Sequence, residues 1–401
     1  MNKILFIVLD GIADRPVNGE TPLSKASTPN LDAFAERSIL GIMDPIRPGI
    51  RPGSDTSHLS ILGYDAEKIY TGRGPFEAAG AGIDLKPGDI AFRCNFATVK
   101  DGIVVDRRAG RIRESDILAE TISREIREID GVEIIFKAGA SHRAALVLRG
   151  EDLGHRVTDS DPKKEGHPPK EVRALDEKSE RTAKVLNEFS RKVQEILSNH
   201  PLNEERIRRG EPPANAVLIR GGGIAPRIEK FEERTGMRSC VIAATTLIRG
   251  IGRFLGMDVL DVPGATGGVD SNLIGKIEKA IDALGEYDFV LVNIKGGDEA
   301  GHDRNFDLKR RFIERVDEAI EPLLEVDEFI VITSDHTTPI TVGDHTGDSV
   351  PILISGEGVR RDNVRRFTEF EAPKGGLCRI RGTDIIPILL DLSGRAEKFG
   401  A

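Results

Sequence analysis

The chain has 401 residues, more than one ordinary domain and comfortable for two. Hydrophobic residues make up 39% and charged residues 31%, with no Trp, the composition of a soluble globular protein with a densely ionic surface. A net charge of −9 disfavours nucleic acid as the main partner, because a phosphate backbone demands an extended basic surface, but it leaves a small anionic ligand allowed.

The chain opens on an apolar run, Ile4 to Leu9, that reads as a buried strand and runs straight into Asp10-Gly11. A helix is expected near Pro29 to Arg37, followed by a Gly/Pro-rich stretch from Pro45 to Gly53. Gly53-Ser54-Asp55-Thr56-Ser57-His58 then leads into Leu59, Ile61 and Leu62, so a helix should start here with Ser54 or Asp55 as its cap. A hydroxyl at such a terminus meets phosphate well, since free N–H groups and the macrodipole both favour an anion. On its own this segment reads first as an ordinary cap, a metal cluster elsewhere would turn the reading to a nucleophilic Ser54, and Thr56 is a rival nucleophile.

From about 90 to 256 the texture is short strands (Phe92 to Val99, Val132 to Phe136, Ala144 to Leu148, Ala216 to Ile219, Cys240 to Ala244) separated by charged helices. Ile117, Leu118, Thr121, Ile122 and Ile126 mark one helical core face, and Val185, Leu186, Phe189, Val193, Ile196 and Leu197 another. Thr158 to Lys170, with three prolines, reads as a long loop.

Two further apolar runs, Phe289 to Ile294 and Phe329 to Thr333, have the continuous character of parallel-sheet strands. Asp298-x-x-x-His302 follows the first, and Asp335-His336 with His345 follows the second. Three of the eight histidines thus stand near aspartates, the ligand mixture preferred by Zn²⁺, Mn²⁺ or Co²⁺, whereas Mg²⁺ alone would not need imidazoles. Open α/β sheets place ligand sites at the carboxyl ends of their strands, so Asp10, Asp298, His302, Asp335, His336 and His345 could converge, with donors enough for two metals. Each alone is also an ordinary capping aspartate or core histidine; together, coincidence is a poor account. With the ligands at both chain ends, the middle must be an insertion. The expected fold is α/β: a mainly parallel sheet flanked by helices from 1–88 and 257–401, interrupted by a smaller α/β or α+β domain over 89–256. Cys94, Cys240 and Cys378 fit neither a zinc knuckle nor a disulfide framework, which points to a reducing cytoplasm. Neither a signal-peptide pattern nor a span-length apolar stretch is present, so no membrane association is expected.

Leu9-Asp10-Gly11, Gly53-Ser54-Asp55, Gly297-Asp298-x-x-x-His302, Ser334-Asp335-His336 and Asp344-His345 resemble the alkaline phosphatase superfamily. Within it the chain is most similar to cofactor-independent phosphoglycerate mutases of the archaeal type, a likeness that extends to Asp14-Arg15-Pro16, the Gly-Ala-Thr-Gly-Gly run ending at Gly268, and Asp159-Ser160-Asp161-Pro162. The resemblance implies an alkaline-phosphatase-like core with a transferase-like insertion. It also implies two divalent metals (Mn, Co, Zn or Mg), one on Asp298, His302 and His345, the other on Asp10, Asp335, His336 and a nucleophilic Ser54. The implied activity is interconversion of 3-phosphoglycerate and 2-phosphoglycerate through phosphoserine, without 2,3-bisphosphoglycerate. Candidates for holding this small-molecule substrate are His142, Arg143, Asp159, Asp161, Arg220 and Arg249, since arginine offers a fork matched to carboxylate and phosphate, although each has an alternative as a surface ion-pair residue. A metal-dependent phosphomonoesterase or another mutase of the superfamily is the runner-up, and the sequence is compatible with a homo-oligomer.

Overall fold

A computed structural model describes residues 2–400. The chain forms two compact units, one from the residues up to Ile69 together with those from Glu229 onward, the other from Tyr70–Ile228.

The first unit is built on an eight-stranded sheet in the order Asp258–Leu260, Ser239–Ile242, Phe289–Ile294, Ile4–Leu9, Phe329–Thr333, Val350–Ser355, Ser38–Asp44, Cys378–Arg381. The first five strands are parallel, and Val350–Ser355 runs against both its neighbours. The expected apolar runs form the middle of the sheet, and every residue of Ile4–Leu9, Phe289–Ile294 and Phe329–Thr333 is buried. Strands covered on both faces need continuous apolar sequence, which is why they were legible. Helices Leu273–Ala283 and Phe306–Ala319 lay apolar stripes on the sheet, with Ile277, Phe312, Ile313 and Val316 packed in one core with Leu5, Ile7 and Val290. Each such buried side chain contributes about 1.5–3 kcal/mol. In register Leu9 pairs with Ile294 and Val8 with Thr333, so the three central strands end together and release Asp10, Lys295 and Ser334 at one edge.

The second unit is an α+β arrangement. Its strands Ile90–Lys100, Ile103–Asp106, Glu128–Ile129, Val132–Ala138, Arg143–Arg149 and Ala216–Ile224 pair only antiparallel, and helices Ser115–Glu125 and Glu180–Ser198 cover them. Leu118, Ile122, Val185, Leu186, Phe189, Val193 and Leu197 enter its core as the spacing predicts, whereas Ile117 is exposed.

Three expectations are corrected. The strand at Cys240 and the helix Thr246–Phe254 belong to the large sheet's unit, because Ser239–Ile242 pairs with Phe289–Ile294, so the second crossing falls at 228/229 and not at 256/257. The first crossing falls at 69/70, ahead of 88/89, because helix Gly74–Gly80 packs with the insertion's strands. Neither Ser54 nor Asp55 caps the helix Ser54–Ile61: Gly53 is the cap, and Thr56 Oγ1 closes the turn by accepting from Gly53 N and donating to Gly53 O, both at 3.1 Å. Cys94, Cys240 and Cys378 are all free thiols, and no helix among the described residues is long and apolar enough to cross a membrane.

Candidate metal centre and arginine cavity

The strand ends of the first unit gather the predicted donors. Asp10 is buried, with Oδ2 accepting from Asn293 Nδ2 at 2.9 Å and Oδ1 from Lys295 Nζ at 3.2 Å. Lys295 reaches on to Asp298 Oδ2 at 2.6 Å. Helix Gly296–His302 carries Asp298 in its first turn and His302 in its last, an i, i+4 pair on one face, with His302 Nε2 3.3 Å from Asp298 Oδ1. His345 Nε2 approaches the same oxygen at 3.3 Å. His336 Nε2 lies 3.2 Å from Asp335 Oδ2, 3.5 Å from Asp10 Oδ1 and 3.1 Å from Ser54 Oγ. Ligand atoms of Asp298, His336 and His345 fall within 4.8 Å of one another, as do those of Asp10, Asp335 and His336. Gly11 makes this approach possible: at φ +65° a Cβ there would stand 2.6 Å from Asp298 Cβ.

The tautomers define what the cluster accepts. His302 Nδ1 donates to Gly343 O and His345 Nδ1 to Pro52 O, each at 2.9 Å, while His336 Nδ1 donates at 3.0 Å to Thr338 Oγ1, which itself donates to Asp298 Oδ1 at 2.8 Å. In the neutral rings all three Nε2 lone pairs therefore face carboxylate oxygens, an arrangement that is repulsive until a cation or proton lies between them. Hydrogen bonding to Asp298 pushes His302 up to about 9, whereas burial and the neighbouring His345 hold His336 well below its ordinary range. Burial and the Asp10 charge hold Asp335 well above the usual carboxylate range; Asp298, despite burial, is held well below it by His302 and His345. The donor set is chemically that of divalent cations, whose binding would displace these protons.

Ser54 is the first residue of its helix, and its hydroxyl is turned to His336, whereas Thr56 Oγ1 is spent on the Gly53 turn. Of the two hydroxyls, that of Ser54 faces the donor cluster. His58, four residues on and buried, donates from Nδ1 to Ser54 O at 2.7 Å and presents Nε2 to Asn293 Nδ2 at 3.3 Å. Sequence reasoning missed His58, Asn293, Lys295 and Thr338. The available signal was a polar residue, Asn293, inside a run that buries everything around it.

The second unit holds a cavity of about 680 Å³ lined by Arg93, Arg107, Arg108, Arg111, Arg143 and Arg220 together with Asn95, Ser141 and His142. Of the predicted substrate residues, His142, Arg143 and Arg220 are therefore brought together. Strand register sets Arg93 opposite Arg220 and Asn95 opposite Arg143. Like charges directly opposite are unfavourable. Burial with Arg220 and Arg73 nearby pushes Arg93 down to about 10, and buried Arg220 Nε has no hydrogen-bond partner among the described residues. Asp161 is not free to bind substrate: buried, it receives Arg107 in a two-pronged contact at 3.0 and 2.7 Å and lies 3.6 Å from Arg220, so it holds these arginines in place. Asp159 accepts from Gly221 N at 3.1 Å and lines a different cavity with Lys163 and Lys170. Arg249 stands on Thr246–Phe254 in the first unit, paired with Asp261, and so is no part of the insertion. Arg93, Arg107, Arg108 and Arg111 were missed. Arg93 and Asn95, alternate polar positions within a buried strand, were the sequence signal.

A mainly parallel sheet that gathers carboxylates, imidazoles and a helix-terminal serine at its carboxyl edge has the form of an α/β enzyme's ligand site with donors suited to divalent cations. The family model described as 2,3-bisphosphoglycerate-independent phosphoglycerate mutase matches residues 35–203. The chain is 56% identical to the Methanothermobacter thermautotrophicus protein named 2,3-bisphosphoglycerate-independent phosphoglycerate mutase 1, with 100% of both chains covered. Among solved structures it is similar to a Pyrococcus horikoshii protein (44% identity, TM-score 0.85, covering 100% of this chain and 99% of that one). It is also similar to the cofactor-independent phosphoglycerate mutase of Thermoplasma acidophilum (43% identity, TM-score 0.75, covering 98% of this chain and 100% of that one). The chain belongs to the 2,3-bisphosphoglycerate-independent phosphoglycerate mutase family.

Proposed function

We propose that this chain interconverts 3-phosphoglycerate and 2-phosphoglycerate through a phosphoserine at Ser54, without 2,3-bisphosphoglycerate. The observation that carries this reading is the Ser54 hydroxyl at the first residue of a helix, 3.1 Å from His336 Nε2, the donor common to both close groups. In this reading two divalent ions would be held, one by Asp298, His302 and His345 and the other by Asp10, Asp335, His336 and Ser54, although the close donor groups are Asp298 with His336 and His345 and Asp10 with Asp335 and His336, and His302 reaches Asp298 Oδ1; bound ions would lower the seryl pKa and neutralise phosphoryl charge.

In the reaction the Ser54 hydroxyl gives up its proton as its oxygen bonds to phosphorus and the phosphorus–oxygen bond to glycerate breaks, and that proton is passed to the departing oxygen, which becomes a hydroxyl. The other glycerate hydroxyl then gives up its proton as its oxygen attacks the phosphoserine, the Ser54–phosphorus bond breaks, the Ser54 oxygen takes that proton, and the phosphate returns at the new position. The N-terminal, positive end of helix Ser54–Ile61 and the Lys295 ammonium favour the negative charge that gathers there. Arg143, Arg220 and the neighbouring cavity arginines hold phosphoglycerate by charge-assisted contacts, with Asp161 fixing Arg107 and Arg220. Asp159 and Arg249 have no substrate role in this reading, because each is engaged elsewhere.

The test is acid quenching of enzyme with 3-phosphoglycerate and mass spectrometry of its peptides. Phosphate should be found on Ser54 and be absent in Ser54→Ala, which should fold normally and lose turnover by a factor on the order of 10³ or more. Phosphate on Thr56, or turnover retained by Ser54→Ala, would refute the assignment.

A further inference from the structure

Helix Phe306–Ala319 turns the stripe Lys309, Phe312, Ile313 and Val316 toward the core, and Lys309 is as buried as its apolar neighbours. Its ammonium has three donors and meets three acceptors: Ala13 O at 3.1 Å, Asp14 Oδ2 at 2.8 Å and Thr338 O at 2.9 Å. Those acceptors lie on two loops. Ala13 and Asp14 follow Asp10 out of the first strand, and Thr338 follows Asp335 and His336. Thr338 N also donates to Ala13 O at 3.3 Å, and Asp14 Oδ1 accepts from Ile340 N at 3.2 Å, so the same few atoms tie the loops together from both sides. Asp14 is held in turn through its own N–H by Glu369 Oε1 at 3.0 Å, and Thr21 Oγ1 donates to Glu369 Oε2 at 2.7 Å.

We propose that Lys309 is a positioning residue for the metal centre: with Asp14 it sets the spacing of the Asp10 loop against the Asp335–His336 loop, and through Thr338 it sets Asp298. The last link is short, since the residue whose carbonyl Lys309 holds also places its hydroxyl between His336 Nδ1 and Asp298 Oδ1. Net stability is a poor account of such a pair, because buried ion pairs return little beyond their desolvation cost and apolar replacements are often neutral or better. What the pair supplies is a fixed geometry. The inference rests on the reading of the cluster as a metal centre.

The experiment measures Mn²⁺ affinity of the metal-free full-length protein by titration calorimetry and Mn²⁺ electron paramagnetic resonance, independent of turnover, in wild type, Asp298→Ala, Lys309→Met and the double variant Lys309→Met/Asp14→Leu. Lys309→Met should weaken Mn²⁺ binding roughly 10- to 100-fold, the scale of other losses behind a ligand shell. The double variant, which removes both members of the Lys309–Asp14 pair, should regain thermal stability over Lys309→Met but not Mn²⁺ affinity. If Lys309→Met does not fold, Asp14→Asn, which keeps size and an acceptor, should show a smaller loss in the same direction. A double variant that regains affinity along with stability, or a folded Lys309→Met or Asp14→Asn with unchanged Mn²⁺ binding and spectrum, overturns the proposal. Wild type that binds Mn²⁺ no better than Asp298→Ala overturns the metal-centre reading itself, and the proposal with it.

Discussion

At the edge of the large sheet, Asp10, Asp298 and Asp335 are packed against imidazole lone pairs with the Lys295 ammonium between two of them, and nearly every one of these groups is oriented by a second partner. In the inserted unit, Arg93 faces Arg220 across paired strands, six arginines line one cavity, and Asp161 is the carboxylate that restrains two of them. One region has an excess of electron-pair donors and a rigid frame; the other has an excess of positive charge and loosely partnered heads. A frame locked by hydrogen bonds suits a small cation whose ligands must be placed to tenths of an ångström, and long arginine side chains with spare donors suit an anion of several oxygens.

The contrast fails most visibly if the first region does not need its cations. Asp298→Ala and Asp335→Ala should each lose bound metal, weakening affinity by at least about a hundredfold, as checked by elemental analysis after desalting. Exhaustive chelation should abolish mutase activity and lower the melting temperature, since a metal at a hundred times its Kd contributes about 2.7 kcal/mol. Unchanged activity after verified metal removal would collapse the distinction between the two regions. A smaller effect belongs to the cavity: Arg143→Ala should remove a contact worth about 1.5–3 kcal/mol, slow isomerisation, and raise the ratio of free phosphate to 2-phosphoglycerate as water replaces departed glycerate. An unaltered partition ratio would separate Arg143 from substrate retention.

Stability should move in opposite directions in the two regions. Arg93→Gln relieves repulsion from Arg220 and should raise the ligand-free unfolding free energy by a few tenths of a kcal/mol, while weakening phosphate binding. A destabilised Arg93→Gln would mean the strand pair is not strained by like charge. The smallest effect is on pH. Burial, with Arg143 and Arg108 beside it, pushes His142 from an ordinary 6.5 down to about 4. Between those values the unfolded chain holds a proton that the folded chain lacks, so this residue lowers stability as pH falls from about 6.5 to about 4 and adds nothing further below. An anion in the cavity offsets the arginine field, so 3-phosphoglycerate binding near pH 5 should take up protons, measured by calorimetry in buffers of different ionisation enthalpy. His142→Gln should show no such uptake.

By itself the sequence determined the parts that local pattern controls. Ile4–Leu9, Phe289–Ile294 and Phe329–Thr333 are apolar throughout because both faces of a central parallel strand are covered, and the residues just past their ends must then leave at one edge. Asp10, Asp298, His302, Asp335, His336 and His345 were readable for that reason, and the helix over Glu180–Ser198 for the same kind of reason at a different period. Tertiary structure decided whatever depends on which distant segment is the partner. Cys240 looked like an insertion strand until its neighbour proved to be Phe289–Ile294; Asp161 looked like a substrate ligand until Arg107 was seen to occupy both its oxygens. The cavity is assembled by the register that brings Arg93 to Arg220 and Asn95 to Arg143, and Lys309 is a binding post only because two loops far apart in sequence present carbonyls to it. A charged side chain's role is set by what lies within a few ångströms of its tip, and that neighbourhood is non-local, whereas the burial of an apolar run is written along the run itself.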